Sequence, residues 1–321
     1  MKDMDISKPL VHILILNFNS YIETVNCLEA LLNNIRYPNY RIIVLDNNST
    51  DESIISLPTK VDEWAKLYGQ KISFIENHSN YGYAHGNNRG IEIAIKENSD
   101  FICIINPDVI VEEDFLDELV YQMKSDPSIG MIAPAIVNSE AKDTCIIGGA
   151  QIGYISGYTK MINAGNKLDG INPKVYACDY IGGMCLLVRR RVINEIGLIP
   201  ENYFLFYEET EWCNRCIRAG YRCVVDVGTK VIHKGSVTID RESNESSIRN
   251  KGINMKEYYL FRNRVIYQKR KLPRLFFGFF IIYYYIEILY GIIRRRWGRM
   301  ALIALGDGIR EYDRLGYVIR C

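Results

Sequence analysis

The sequence predicts an α/β fold: a mostly parallel central sheet flanked by helices, followed by a helical C-terminal extension. Three observations predict it. Short apolar runs of strand length alternate with helix-length segments through the first 110 or so residues. The runs are apolar throughout, as strands buried on both faces are. Asn17, Asp46 and Asp108 then fall at the carboxyl ends of such runs, where open α/β sheets bind ligands.

Taken in order, Leu10 followed by VHILILN is the first strand, and a helical pattern covers Tyr21 to Asn34. The run RIIVL, Arg41 to Leu45, is the second strand, closed by the polar stretch Asp46 to Asp51. A further helix and a strand at Ile72 to Ile75 follow. The glycine- and asparagine-rich stretch Asn77 to Gly90 reads as a loop leading into a helix at Ile91 to Glu97. FICII, Phe101 to Ile105, is a buried strand stopped by Asn106-Pro107-Asp108. Met131 to Tyr180, rich in Gly, Asn and Lys, reads as loops and short strands. From Ile181 come a Gly-Gly strand, a basic turn, an acidic helix, another strand and His233.

Composition narrows the function. With 48% hydrophobic and 24% charged residues, the 321-residue chain is neither disordered nor coiled-coil. Lys and Arg number 39 against 38 Asp and Glu, so no global field draws in nucleic acid. Nine cysteines, an odd number, point to reduced thiols and a cytoplasmic setting. Cys213, Cys216 and Cys223 lack a fourth ligand at zinc spacing, so buried structural thiols are the favoured reading. The start, MKDMDISKPL, carries no signal-peptide core, so the chain is expected to begin in the cytosol.

The tail differs from the rest. Leu275 to Ile293 is nearly continuously apolar, with Lys269, Arg270, Lys271 and Arg274 before it and Arg294, Arg295, Arg296 and Arg299 after it. It is at the short edge for spanning a bilayer, and charge on both sides sets no orientation. Aromatic and basic composition favours a segment lying in the lipid interface; spanning and burial against protein are the alternatives.

Several residues are chemically suggestive, each beside a plainer reading. A carboxylate at Asp46 suits a pyrimidine imide or ribose hydroxyls, but Asp46 and Asn47 also suit a turn or helix cap. Asp108, fixed after a proline, suits Mg²⁺ or Mn²⁺ bound to a diphosphate, or simply an Asn-Pro-Asp turn. The glycine-spaced stretch Asn80 to Gly90 could bring backbone and Arg89 close to a phosphate, or serve as a connector. Glu208, Glu209 and Glu211 open a helix, where the dipole favours acids; crowding would also raise a pKa for general-base work. His233 alone is more often structural than a ligand.

In their order and spacing these motifs resemble the family-2 inverting glycosyltransferases of GT-A fold, in particular the bacterial rhamnosyltransferase-like subgroup. The resemblance runs from VHILILNFNS through VIHKGSVTI and includes YYLFRNR near Tyr258. It implies a sugar transferase that uses a nucleotide-sugar donor and a divalent metal, Mg²⁺ or Mn²⁺. Donor-binding positions would be Asn17, Asn19, Asp46, Asn88, Arg89 and Gly183, with Gly182 beside it; metal positions would be Asp108 and His233. Glu209 falls on the catalytic base, and Glu208, Glu211 and Arg215 on the acceptor side. The family's base is usually Asp, so Glu209 is one methylene longer, and Glu211 likewise replaces Asp. The resemblance also implies a catalytic domain at residues 1–255 and a membrane-proximal extension at 256–321. Its donor would be dTDP-rhamnose or a UDP-sugar, and its acceptor a glycan or lipid-linked hydroxyl at the cytoplasmic face of the membrane. Two other readings are a nucleotidyltransferase, against which no basic residue follows the first strand, and a non-catalytic sugar-nucleotide-binding module, against which the carboxylates stand.

Overall fold

The computed structural model describes residues 8–69, 71–234 and 254–316. Residues 1–7, within the polar start, and 235–239, the end of the VIHKGSVTI motif, lie outside the described residues. The strands are β1 (Val11–Asn17), β2 (Tyr40–Asp46), β3 (Ile72–Glu76), β4 (Phe101–Ile105), β5 (Val109–Ile110) and β6 (Ile129–Val137), then β7 (Cys145–Ile147), β8 (Ala150–Ile152), β9 (Thr159–Met161), β10 (Val175–Cys178), β11 (Cys185–Arg189) and β12 (Arg222–His233). The helices are α1 (Tyr21–Asn34), α2 (Ser53–Leu67), α3 (Tyr83–Lys96), α4 (Phe115–Ser125), α5 (Arg190–Ile196), α6 (Glu208–Arg218), α7 (Met255–Lys271), α8 (Arg274–Ile293) and α9 (Met300–Arg310).

The main sheet runs β10-β12-β6-β11-β4-β1-β2-β3, with β5 added to β12 and β7 to β6. β3, β2, β1 and β4 are parallel, while β11 lies antiparallel between β4 and β6. The chain turns outward in both directions from β1, so a crevice opens beyond β1 and β4. Because β11 is reversed, its first residues reach that same edge.

Alternation along β1 shows how the core is built. Val11, Ile13 and Ile15 face one layer with Leu28, Leu57, Trp64 and Leu119 from α1, α2 and α4. Leu14 faces the other, with Ile91, Val192 and Trp212 from α3, α5 and α6. Each such side chain, buried fully, contributes about 1.5–3 kcal/mol. β6, expected among loops, is a nine-residue strand buried along its whole length.

The stretch read as a glycine loop is largely helix, with α3 beginning at Tyr83. Its glycines serve packing. A Cβ at Gly86 would lie 2.5 Å from Leu16 Cδ1, and one at Gly90 would lie 2.9 Å from Leu45 Cδ1. Only glycine lets α3 lie this close to the leucines of β1 and β2.

The C-terminal helices form a third cluster, in which α7 packs on α9 and α8. α8 buries Phe280, Tyr284, Ile288 and Gly291, a stripe at helical spacing. Much of its remaining surface, including Leu275, Phe279, Ile282, Ile286 and Ile293, stays exposed. Arg274, Arg294, Arg295, Arg296 and Arg299 at its two ends are exposed as well.

Candidate active site

A cleft of about 300 Å³ lies at the crevice edge. Leu16 and Phe18 of β1 and its exit, Asn106-Pro107-Asp108 after β4, Tyr180, Gly183 and Met184 before and at β11, and Phe204 to Phe206 line it. Asn47, Asn80, Gly82, Tyr83, Glu208, Glu209 and His233 complete the wall. No lysine or arginine lines it among the described residues.

Strand pairing assembles one corner. β12 pairs with β5 so that His233 lies opposite Val109, and the Lys234 amide donates to the Asp108 carbonyl at 3.1 Å. His233 Nε2 is then 3.1 Å from Asp108 Oδ2. Asp108 Oδ1 is buried without a hydrogen-bond partner. Such an atom is costly unless a ligand completes it. One carboxylate oxygen and one imidazole nitrogen suit a hard cation that takes its remaining oxygens from phosphate and water. No group of three or more His, Cys, Asp or Glu gathers as a cage among the described residues.

The opposite wall is built by the turn into α6. Phe204, Phe206 and Tyr207 have φ of 67, 68 and 74°, a left-handed conformation that costs about 1–2 kcal/mol at each such residue. Unfavourable backbone of this kind persists where neighbours hold it and where function needs it. It delivers Glu208 and Glu209 into the cleft at the helix N-terminus. Glu209 Oε1 accepts from the Gly183 amide at 3.3 Å, while Glu209 Oε2 and Glu208 Oε2 have no partner. Burial pushes both carboxyls up. Glu208 rises well above its usual value because it is buried and Glu209 stands beside it. Hydrogen bonding from backbone amides, that of Gly183 among them, opposes the rise at Glu209. The two carboxyls therefore titrate as a pair, with Glu208 raised the more. A Cβ at Gly183 would sit 2.7 Å from the Tyr83 hydroxyl and 3.2 Å from Glu209 Oε1, so any larger residue there would push on both.

The structure thus brings Asp108, His233, Gly183, Glu208 and Glu209 to one cleft. Several expected positions are elsewhere, and each has a local reason. Asp46 is fully buried and turned inward: Oδ1 accepts from Asn17 Nδ2 (2.7 Å) and Ser49 Oγ (2.6 Å), and Oδ2 from the Ser49 amide (2.8 Å). Asn17 is the brace of that turn, held in its own place by Thr24. Asn19 caps the same turn through the Thr50 amide at 2.8 Å. Asn88 ties α3 to the Ile199 backbone, donating and accepting at 2.8 and 3.0 Å. Arg89 is exposed on α3, away from the lining. Glu211 accepts from Tyr203, Arg215 and Arg270 and joins α6 to α7, and neither Glu211 nor Arg215 lines the cleft.

Sequence reasoning missed Asn47, Tyr83 and Tyr180. Asn47 lines the cleft beside the buried Asp46, and its amide donates to Asn80 Oδ1 at 2.8 Å. Residue alternation at the strand end was the available signal: with Asp46 inward, its neighbour faces out.

Comparison with known proteins agrees with this architecture. Residues 12–197 match the family model for Glycosyl transferase family 2. The low-salt glycan biosynthesis hexosyltransferase Agl10 of Haloferax volcanii is 28% identical over 232 residues, 70% of this chain and 66% of that protein. The dTDP-rhamnosyl transferase RfbF of Shigella flexneri is 21% identical over 280 residues, 83% and 82% of the two chains. Among solved structures, GalNAc-T7 with UDP, GalNAc and Mn²⁺ superposes with a TM-score of 0.59 at 16% identity, covering 90% of this chain and 58% of that one. The mannosyltransferase PcManGT of Pyrobaculum calidifontis, in complex with GDP-Man and Mn²⁺, gives 0.53 at 15% identity, covering 98% and 90%. The fold is GT-A.

Proposed function

Because this chain belongs to glycosyl transferase family 2 and is a hexosyltransferase, we propose that it moves a sugar from a nucleoside-diphosphate donor to a hydroxyl of a glycan or lipid-linked acceptor, with inversion at the anomeric carbon. The observation that carries the reading is the pairing, across one cleft, of a carboxylate with an unpartnered oxygen (Glu209) and an orphaned carboxylate beside an imidazole (Asp108 and His233). The first suits proton removal from a hydroxyl, and the second suits a cation at a diphosphate.

Asp108 and His233 would hold Mg²⁺ or Mn²⁺. Bound there, the ion would neutralise charge developing on the departing diphosphate, for which the lining supplies no lysine or arginine among the described residues. Glu209 Oε2 takes the proton of the acceptor hydroxyl. Its Oε1, fixed by the Gly183 amide, keeps the carboxylate aimed. The hydroxyl oxygen forms its bond to the anomeric carbon as the bond to the diphosphate breaks on the opposite face. Glu208, the more strongly raised of the two carboxyls, would hold a proton more readily than Glu209 and so limit the negative charge at the turn. Phe204, Leu205 and Phe206 form an apolar wall that excludes water. Asn47, rather than Asp46, presents an amide at the end of β2 where the nucleoside would lie.

We place the catalytic unit at residues 1–255 and a membrane-proximal extension at 256–321. The exposed apolar face of α8, flanked by exposed arginines, suits the interface of an anionic cytoplasmic leaflet, where a lipid-linked acceptor would be met. dTDP-rhamnose is the first donor to try, given the relative named as a dTDP-rhamnosyl transferase. The test is calorimetry of the full chain against UDP-, dTDP- and GDP-sugars with and without Mn²⁺. Metal-dependent binding of one nucleotide class is expected; absence of binding to every donor would overturn the reading.

A further inference from the structure

The YYLFRNR segment of α7 has no part in the chemistry above, yet its Asn263 is completely buried against the turn that carries Glu208 and Glu209. Asn263 Nδ2 lies 3.0, 2.7 and 2.9 Å from the carbonyl oxygens of Tyr203, Leu205 and Phe206. One amide thus collects three carbonyls that the left-handed residues Phe204 and Phe206 turn toward a single point. Its orientation is set by Arg262, whose Nη1 donates to Asn263 Oδ1 at 2.6 Å and so leaves the amide nitrogen facing the turn. Arg262 is itself buried and held by the Tyr312 carbonyl at 2.8 Å. On the other side, the Tyr83 amide donates to the Phe204 carbonyl at 3.1 Å. The turn is therefore gripped from α3 and from α7, and Glu208 and Glu209 follow it directly.

We propose that Asn263 is a positioning residue for the transfer reaction: by holding the carbonyls of Tyr203, Leu205 and Phe206, it keeps the 203–207 turn in the left-handed form that aims the Glu209 carboxylate into the cleft. Without it, three carbonyls, that of Tyr203 buried, lose their donor while three unfavourable φ values are free to relax. The turn then moves in the direction that carries Glu209 away from Gly183 and toward water. Asn263 does not line the cleft, so its loss acts on turnover and not on nucleotide binding. The proposal rests on the transferase reading above for its kinetic consequence, though not for its structural one.

The test compares wild type, Asn263→Ala and Asn263→Ser, the serine keeping one donor. Nucleoside diphosphate release from the preferred sugar nucleotide is followed across pH, with Mn²⁺-dependent binding of UDP and dTDP measured by calorimetry. Turnover is expected to fall about 100-fold in the alanine variant and less in the serine variant, the scale of a misplacement of about 1 Å. Nucleotide affinity stays within about threefold, and the acid limb of the pH profile moves to lower pH as water reaches Glu209. A folded alanine variant with wild-type turnover and an unmoved pH profile overturns the proposal; if that variant does not fold, the serine variant is judged by the same criteria. Hydrogen exchange at the amides of 203–209 provides a readout free of activity. If the wild type releases no nucleoside diphosphate from any donor, the transferase reading falls. Faster exchange confined to that turn then still supports the positioning role, and an unchanged exchange pattern overturns it.

Discussion

Glu209→Gln isolates the proposed base from everything else in the cleft. The glutamine carbonyl can still accept from the Gly183 amide, as Glu209 Oε1 does at 3.3 Å, so the side chain stays where it is. What changes is the free oxygen, which becomes an NH₂ group unable to take a proton. General-base catalysis is worth about 10²–10⁴-fold, so the barrier to transfer rises by about 3–5 kcal/mol. Binding of nucleotide with Mn²⁺ should stay within about threefold, because Asp108 and His233 are untouched. The variant also removes a buried carboxyl whose pKa is raised in the folded state. The cost of that carboxyl is absent below its ordinary value and appears as pH rises through the folded one. Glu209→Gln should therefore melt at or above the wild-type temperature at pH 8 and match it at pH 4.5. Nucleoside diphosphate release across pH 5–9 reads both effects: wild type shows an acid limb, and the variant shows a flat, slow profile. Turnover within tenfold of wild type, or a surviving acid limb, would refute the assignment of Glu209 as base.

Three further outcomes are expected. Asp108→Asn removes charge from the oxygen pair beside His233, and Mn²⁺-dependent nucleotide binding should weaken at least about 30-fold in calorimetry while the fold, read by circular dichroism, is retained. Gly90→Val forces a branched side chain against Leu45 and Leu14, whose methyls lie 2.9 and 3.0 Å from the position of a Cβ. Urea unfolding should report a loss of about 1–3 kcal/mol, whereas a flexible loop at that position would lose almost nothing. Glutamate at Phe279, Ile282 and Ile286, all exposed on α8, should leave the melting temperature unchanged and cut co-sedimentation with phosphatidylglycerol vesicles by at least about tenfold. Unaltered sedimentation would remove α8 from any role at a lipid surface.

Strand identity was legible because both faces of this sheet are covered. FICII can only be a buried strand of that length, and β4 spans those five residues. Direction was not legible. Asp46 and Asn88 have the chemistry of ligand-binding groups, but each spends it on the protein's own backbone and side chains. The sequence does not tell a carboxylate that faces a cleft from one that closes a turn. Helical geometry separates the acids of α6: Glu211 follows Glu209 by two residues, about 200° around the helix, so it leaves the cleft and meets Arg270. Arg215, one turn beyond Glu211, lies on that same side. Glycine misled at Gly86 and Gly90 because local propensity reads it as a turn, whereas the close approach of α3 to β1 and β2 is a tertiary demand. The YYLFRNR motif was visible, but its partner carbonyls lie about sixty residues earlier in the chain.

Nucleoside diphosphate release by the full-length wild type from UDP-, dTDP- and GDP-sugars, with EDTA and then with Mn²⁺ restored, tests the central claim most directly. Metal-dependent release from one nucleotide class, lost in both Asp108→Asn and Glu209→Gln, is the result this account predicts. Binding of a sugar nucleotide with no release under any condition, or release that ignores both the metal and these two carboxylates, would contradict it.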